Sequence, residues 1–173
     1  MPLGNRVKSD ALSTVYTDQV YALGTTYVQL ADEVDEGDSG VDSATSFDLL
    51  QGERTWIFVK ASAAITAGQI VKRNAAGTPF EVTPSTAATN KLNLAGVADH
   101  DIASGSYGWI IARGACVADA ATVAAGNLLA AAASGEVTAI TPAGGTSGNV
   151  VGVALEAKSG TFTNFAQVVI DLL

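Results

Sequence analysis

The sequence predicts an all-β fold: a compact barrel or sandwich built from an internally duplicated β unit, with an extended N-terminal arm. Three observations carry this reading. The stretch AITAGQIVKRNAAGTPFEVTP (64–84) recurs as TVAAGNLLAAAASGEVTAITP (122–142), with Gly68 and Gly126 58 positions apart and the offset held from there to Pro84 and Pro142. Short apolar runs alternate with Gly-bearing turns at the spacing of a sandwich or barrel. The first 50 residues, by contrast, scatter Tyr and Val among polar residues without a sustained helical period.

The arm is taken as residues 1–54. Asp32, Glu33, Asp35, Glu36, Asp38 and Asp42 follow one another with no basic residue between them, a pattern expected to stay solvated. DEVDEGDSGVD contains the carboxylates and glycines of a calcium loop but lacks its spacing and terminal Glu, so no metal site is assigned. Tyr16, Tyr21 and Tyr27 suit anchoring, because Tyr supplies contact area at little entropic cost. Two placements stay open. The arm lies on a neighbouring subunit by adding to a sheet edge, or Tyr21 and Tyr27 belong to a first strand of the barrel. On the former, Tyr16, Tyr21, Tyr27, Asp32, Glu33, Asp35 and Glu36 are the interface candidates.

The duplicated domain is taken as residues 55–173, with copies at about 61–114 and 119–173. TWIFVKA (55–61) is a compact run of aromatic and branched residues. The first copy then runs AAITAGQIVKRN, a turn at Gly77, FEVTP, a polar loop, LAGVADHD, a turn at Gly105 and YGWIIARG. The second runs TVAAGNLLAAA, a turn at Gly135, EVTAITP, a Gly-rich loop, VVGVALEA, a turn near Gly160 and FAQVVIDLL. Gly96 matches Gly152 at a shortened offset of 56, and Tyr107 matches Phe165 with 58 restored. Gly68, Gly77, Gly126 and Gly135 are the structural turns. ADAATVAAGNLLAAAASGE favours a helix by alanine propensity alone. Its counterpart carries Ile65, Thr66, Ile70 and Val71, which prefer strands, and both copies are read as strand–turn–strand.

Composition narrows function by exclusion. A net charge of −8 with nine dispersed basic residues offers no cluster for phosphate contacts, and it disfavours anionic membranes. No apolar run approaches a membrane span, and no secretory leader is recognised, so a soluble product made in a cytoplasm is expected. Cys116, the sole cysteine, sits in IIARGACVADA and is expected to be a buried small hydrophobe. His100, the sole histidine, is flanked by Asp99 and Asp101. On a strand these neighbours face away from the ring, and the repeat places Glu156 at the same position, so no base is assigned. GTSGN (145–149) lacks the context of a nucleophile elbow, and AGGTSGNVVG runs into a strand where a phosphate cradle needs a helix. Trp56 and Trp109 are expected in the core or an interface. No catalytic residue, metal or cofactor is assigned.

Four stretches carry a resemblance: ASAAITAGQIVKRNAAG, LAGVADHDIASGSYGWIIARG, ATVAAGNLLAAAASGEV and VVGVALEAKSG with FAQVVIDLL. Over about residues 56–173 they resemble the capsid decoration (cement) proteins and head-fibre bases of tailed bacteriophages. That family shares an AxxAGxxV entry, a Gly turn, a GVA strand and a closing β-strand. The resemblance implies a virion structural protein, made in the host cytoplasm, that assembles on the outside of the head as an oligomer, a trimer being favoured. Its partner would be the major capsid protein, whose subunits it would clamp against internal DNA pressure. The alternative is a receptor- or glycan-binding module of a tail or fibre, which predicts an exposed aromatic and polar cluster around Trp109 and Tyr107.

Overall fold

The structure is a computed structural model describing residues 12–30, 52–74, 78–87, 89–140, 149–157 and 165–171. These residues form ten strands: β1 (Thr26–Gln29), β2 (Arg54–Ala61), β3 (Ile70–Arg73), β4 (Glu81–Pro84), β5 (Leu94–Ala98), β6 (Tyr107–Asp119), β7 (Leu128–Ala131), β8 (Val137–Ala139), β9 (Gly152–Ala154) and β10 (Phe165–Asp171). Among the described residues the only helical segments are single 3₁₀ turns at Lys91–Asn93 and Ala133–Gly135. The all-β expectation holds, and the alanine-rich segment forms β7 after a turn. Tertiary packing overrides alanine propensity there, with Leu129 fully buried.

Five strands close into a circuit. β2 pairs antiparallel with β6 and, at Lys60 and Ala61, parallel with β4. β4 pairs with β3, β3 with β5, and β5 returns to β6. Ile57, Val59 and Ala61 of β2 point to one apolar cluster with Ile65, Val71, Val82 and Ile110. Trp56 and Phe58 alternate to the opposite face and join a second cluster with Trp109, Leu129 and Val137. Both faces of β2 are therefore covered, which is why TWIFVKA shows no apolar/polar alternation.

β6 is 13 residues long and serves two sets of partners. Its first half closes the circuit with β2 and β5, and from Arg113 to Asp119 it pairs with β10. The order continues β10-β9-β7-β8, and Ala120, just beyond β6, bridges in parallel to Val137 of β8. The pairings β4-β3-β5-β6 and β8-β7-β9-β10 thus follow the same order.

The entry turns match bond for bond. Gly68 N donates to Ala98 O at 2.7 Å and Gly126 N to Ala154 O at 2.8 Å. Ala98 N returns to Gln69 O at 2.9 Å, as Ala154 N does to Asn127 O at 3.0 Å. The side-chain carbonyl of Gln69 accepts from Thr66 N at 2.9 Å, and that of Asn127 from Ala124 N at 2.8 Å. Gly68, Gly126 and Gly135 all have positive φ. Gly77 lies outside the described residues.

The sheet begins inside the segment expected to be arm. β1 pairs antiparallel with β2, from Thr26 opposite Ile57 to Gln29 opposite Arg54. The physical reason is the outward row of Trp56, Phe58 and Trp109, a large apolar surface that needs cover. Leu12 is buried in that cluster, and Tyr16, Tyr21, Leu23 and Tyr27 pack against it.

Candidate interaction surface

Residues 12–30 form a strap with two faces. On the inner face, the Tyr21 ring stands edge-on to Phe58 and Trp109, with centroids 5.2 and 5.3 Å away. Tyr16 meets Tyr21 at 6.2 Å and Phe58 at 6.0 Å, and Tyr107 stacks on Phe58 at 6.1 Å. Backbone bonds fasten the strap at two places. Tyr16 and Tyr107 exchange N–H···O bonds of 2.9 and 2.8 Å, while Gly24 N reaches Phe58 O and Phe58 N reaches Thr25 O, both at 2.9 Å. Burial, reinforced by neighbouring Tyr21, pushes the Tyr16 phenol above its ordinary value. Gln29 is buried and its side-chain oxygen accepts from Trp56 Nε1 at 2.9 Å. On the outer face, Val15, Val20, Val28 and Leu30 are 39–51% exposed. Asp32, Glu33, Asp35 and Glu36 lie outside the described residues.

A second feature is a polar groove of about 600 Å³ lined by Lys72, Arg73, Asn74, Pro79, Thr83, Thr86, Thr89, Asn90 and Asn93. Lys72 lies opposite Thr83 across the β3–β4 ladder, beside a register shift between Val71 and Lys72 in the β3–β5 ladder. Arg73 lies over the Phe80 ring, 5.7 Å from its centroid, and donates to Pro79 O at 3.3 Å. The acid of β4, Glu81, is engaged instead by Lys60 at 3.1 Å, which holds its carboxyl below the usual range.

A family model described as phage cement protein matches residues 49–170, which takes in β2 to β9 and nearly all of β10 and leaves the strap outside. The chain belongs to the phage cement protein family. It is therefore a structural protein of a phage virion. Among solved structures, this cement-family chain resembles the head fiber gp8.5 N base of bacteriophage phi29. Sequence identity is 17%, the match covers 68% of this chain and 93% of that one, and the TM-score is 0.49. No curated protein matches.

The reactive side chains of this cement-family protein stay apart. His100 falls in a bend just after β5 rather than on a strand. Burial lowers its pKa, with Asp101 opposing weakly, and neither ring nitrogen has a hydrogen-bond partner among the described residues. Asp101 accepts from Ala67 N at 2.8 Å, which commits that oxygen to the entry turn. Cys116 is buried, and desolvation pushes its thiol up to about 12. Among the described residues no three His, Cys, Asp or Glu side chains gather as metal ligands. Trp109 is fully buried and Tyr107 half-buried in the aromatic cluster, so they do not form the exposed platform that a glycan-binding reading expects of them.

The groove and the outer face of the strap escaped the sequence reading. The groove unites Lys72 and Arg73 with Asn90 and Asn93 across a loop, a proximity set by the β3–β4–β5 pairing. The strap's outer face had a signal in Val15, Val20, Val28 and Leu30, interleaved with the tyrosines.

Proposed function

We propose that this protein decorates the outside of a bacteriophage head and holds neighbouring major capsid protein subunits together, as an oligomer for which a trimer is favoured. The observation that carries this reading is the strap. Its inner face is fixed to the domain by an aromatic cluster, while Val15, Val20, Val28 and Leu30 face outward. Exposed apolar side chains on a fastened segment offer a partner contact area at little ordering cost. The tyrosines then act from behind that contact, holding the strap in place. The acidic run from Asp32 to Asp42 complements a basic strip on a shell and keeps the unassembled protein soluble. An oligomer engaging several subunits gains avidity without any strong single contact.

The matching pairings of the two halves and the like turns at Gly68 and Gly126 support a duplicated β unit, copies 61–114 and 119–173. Its role is rigidity, without catalysis or cofactor. Electron microscopy of whole particles tests the proposal: density for this chain is expected on the head surface, bridging capsid subunits. Density on the tail, or a full head occupancy in the Val20→Ser/Leu30→Ser variant, overturns it. Light scattering of the isolated protein, with a trimer mass expected, tests the oligomer.

A further inference from the structure

The groove between β3, β4 and the residues Thr86, Thr89, Asn90 and Asn93 has no part in the capsid reading, and its chemistry is specific. The chain carries a net charge of −8, yet two basic side chains and no carboxylate line this groove. Among the described residues neither Lys72 nor Arg73 is in an ion pair. Such a site selects an anion.

The remaining lining says which kind. Thr83, Thr89, Asn90 and Asn93 carry hydroxyls and amides that both donate and accept, matching ligand hydroxyls that do the same. Asn90 commits its side-chain oxygen to Leu92 N at 3.0 Å, so its amide N–H groups are left to donate. Pro79 is the only lining residue without a polar side chain. β3 has partners on both sides at Val71 and Lys72, and β4 at Val82, so an acidic peptide finds only short open stretches of strand to join. A volume of about 600 Å³ lies within the roughly 300–1,000 Å³ range of small-ligand sites.

We infer that this groove binds an acidic saccharide, with Lys72 and Arg73 on its carboxylate and the Thr and Asn side chains on its hydroxyls. The test uses the full chain, titrated by heteronuclear NMR with hyaluronan tetrasaccharide and with sialyllactose as acidic probes. Chitotetraose is the neutral control and poly-L-glutamate the acidic-peptide control. At least one acidic saccharide is expected to shift the amides of Lys72, Arg73, Asn90 and Asn93, with affinity falling as salt rises. Lys72→Gln should weaken binding about tenfold, and the added Arg73→Gln substitution about tenfold more, since a charge-assisted contact is worth at least that factor. Asn93→Ala provides a charge-neutral variant that weakens binding without altering the salt dependence. The inference is overturned if neither acidic saccharide shifts these amides, if chitotetraose binds as tightly, or if poly-L-glutamate alone binds. It is equally overturned if binding survives the double substitution in a protein whose melting is unchanged.

Discussion

Tyr21→Ala should release the strap while leaving the rest of the sheet closed. The ring makes two close edge-on contacts, 5.2 Å to Phe58 and 5.3 Å to Trp109, each worth about 0.5–1.5 kcal/mol beyond the area it buries. Together these give about 1–3 kcal/mol of local docking energy. At about 1.4 kcal/mol per decade, the strap should open roughly 5 to 150 times more often. The reporters are backbone amides whose only bonds cross the strap junction: Gly24 to Phe58, Phe58 to Thr25, and the reciprocal pair of Tyr16 and Tyr107. Their hydrogen exchange should accelerate by that factor, while Val97 and Ile110, in the closed circuit, keep their protection. Uniform acceleration at all these amides would show that Tyr21 supports the whole domain. Unchanged exchange at Phe58 and Tyr107 would refute the idea that aromatic contacts fasten the strap.

Two further perturbations separate conformational from steric and electrostatic causes. Gly126 and Gly135 have φ of +79° and +83°. A Cβ at Gly126 meets open space, whereas one at Gly135 would sit 2.8 Å from Gln69 Cβ. Gly126→Ala should therefore cost about 1–2 kcal/mol, the left-handed penalty alone, and Gly135→Ala more, as measured by chemical denaturation. Equal losses would contradict this. His100 binds its proton less readily folded than unfolded, because burial disfavours the cation. Its contribution to stability is whole above about pH 6.5, the unfolded value, and drains away as pH falls below it. Melting curves between pH 7.5 and 5.5 should show this slope, and His100→Gln should flatten it.

The strand pattern was legible because burial on both faces leaves a plain mark, uninterrupted apolar runs such as TWIFVKA and YGWIIARG. The order of pairing was not, because nothing local in Lys60 or Ala61 says that β4 will lie parallel to them. The strap shows the division sharply. Tyr16, Tyr21 and Tyr27 are visible as anchors in the sequence, but what they anchor to depends on Phe58 and Trp109 facing out of the circuit. That orientation is set by strand pairing some thirty to ninety residues away. The groove was illegible for the same reason. Lys72 and Asn93 are neighbours only after β3 and β5 pair.

The shared strand has a mechanical consequence. Arg113 is paired at once with Thr55 on β2 and with Asp171 on β10, so the two ladders overlap at a single residue of β6. Hinge motion needs a few residues free to change their φ and ψ, and the continuous strand between the halves offers no loop for that purpose. Bending one half against the other must first break ladder bonds at this overlap. A load pulling the two halves apart is therefore carried as shear along β6, distributed over many hydrogen bonds, and the molecule resists it as a strut.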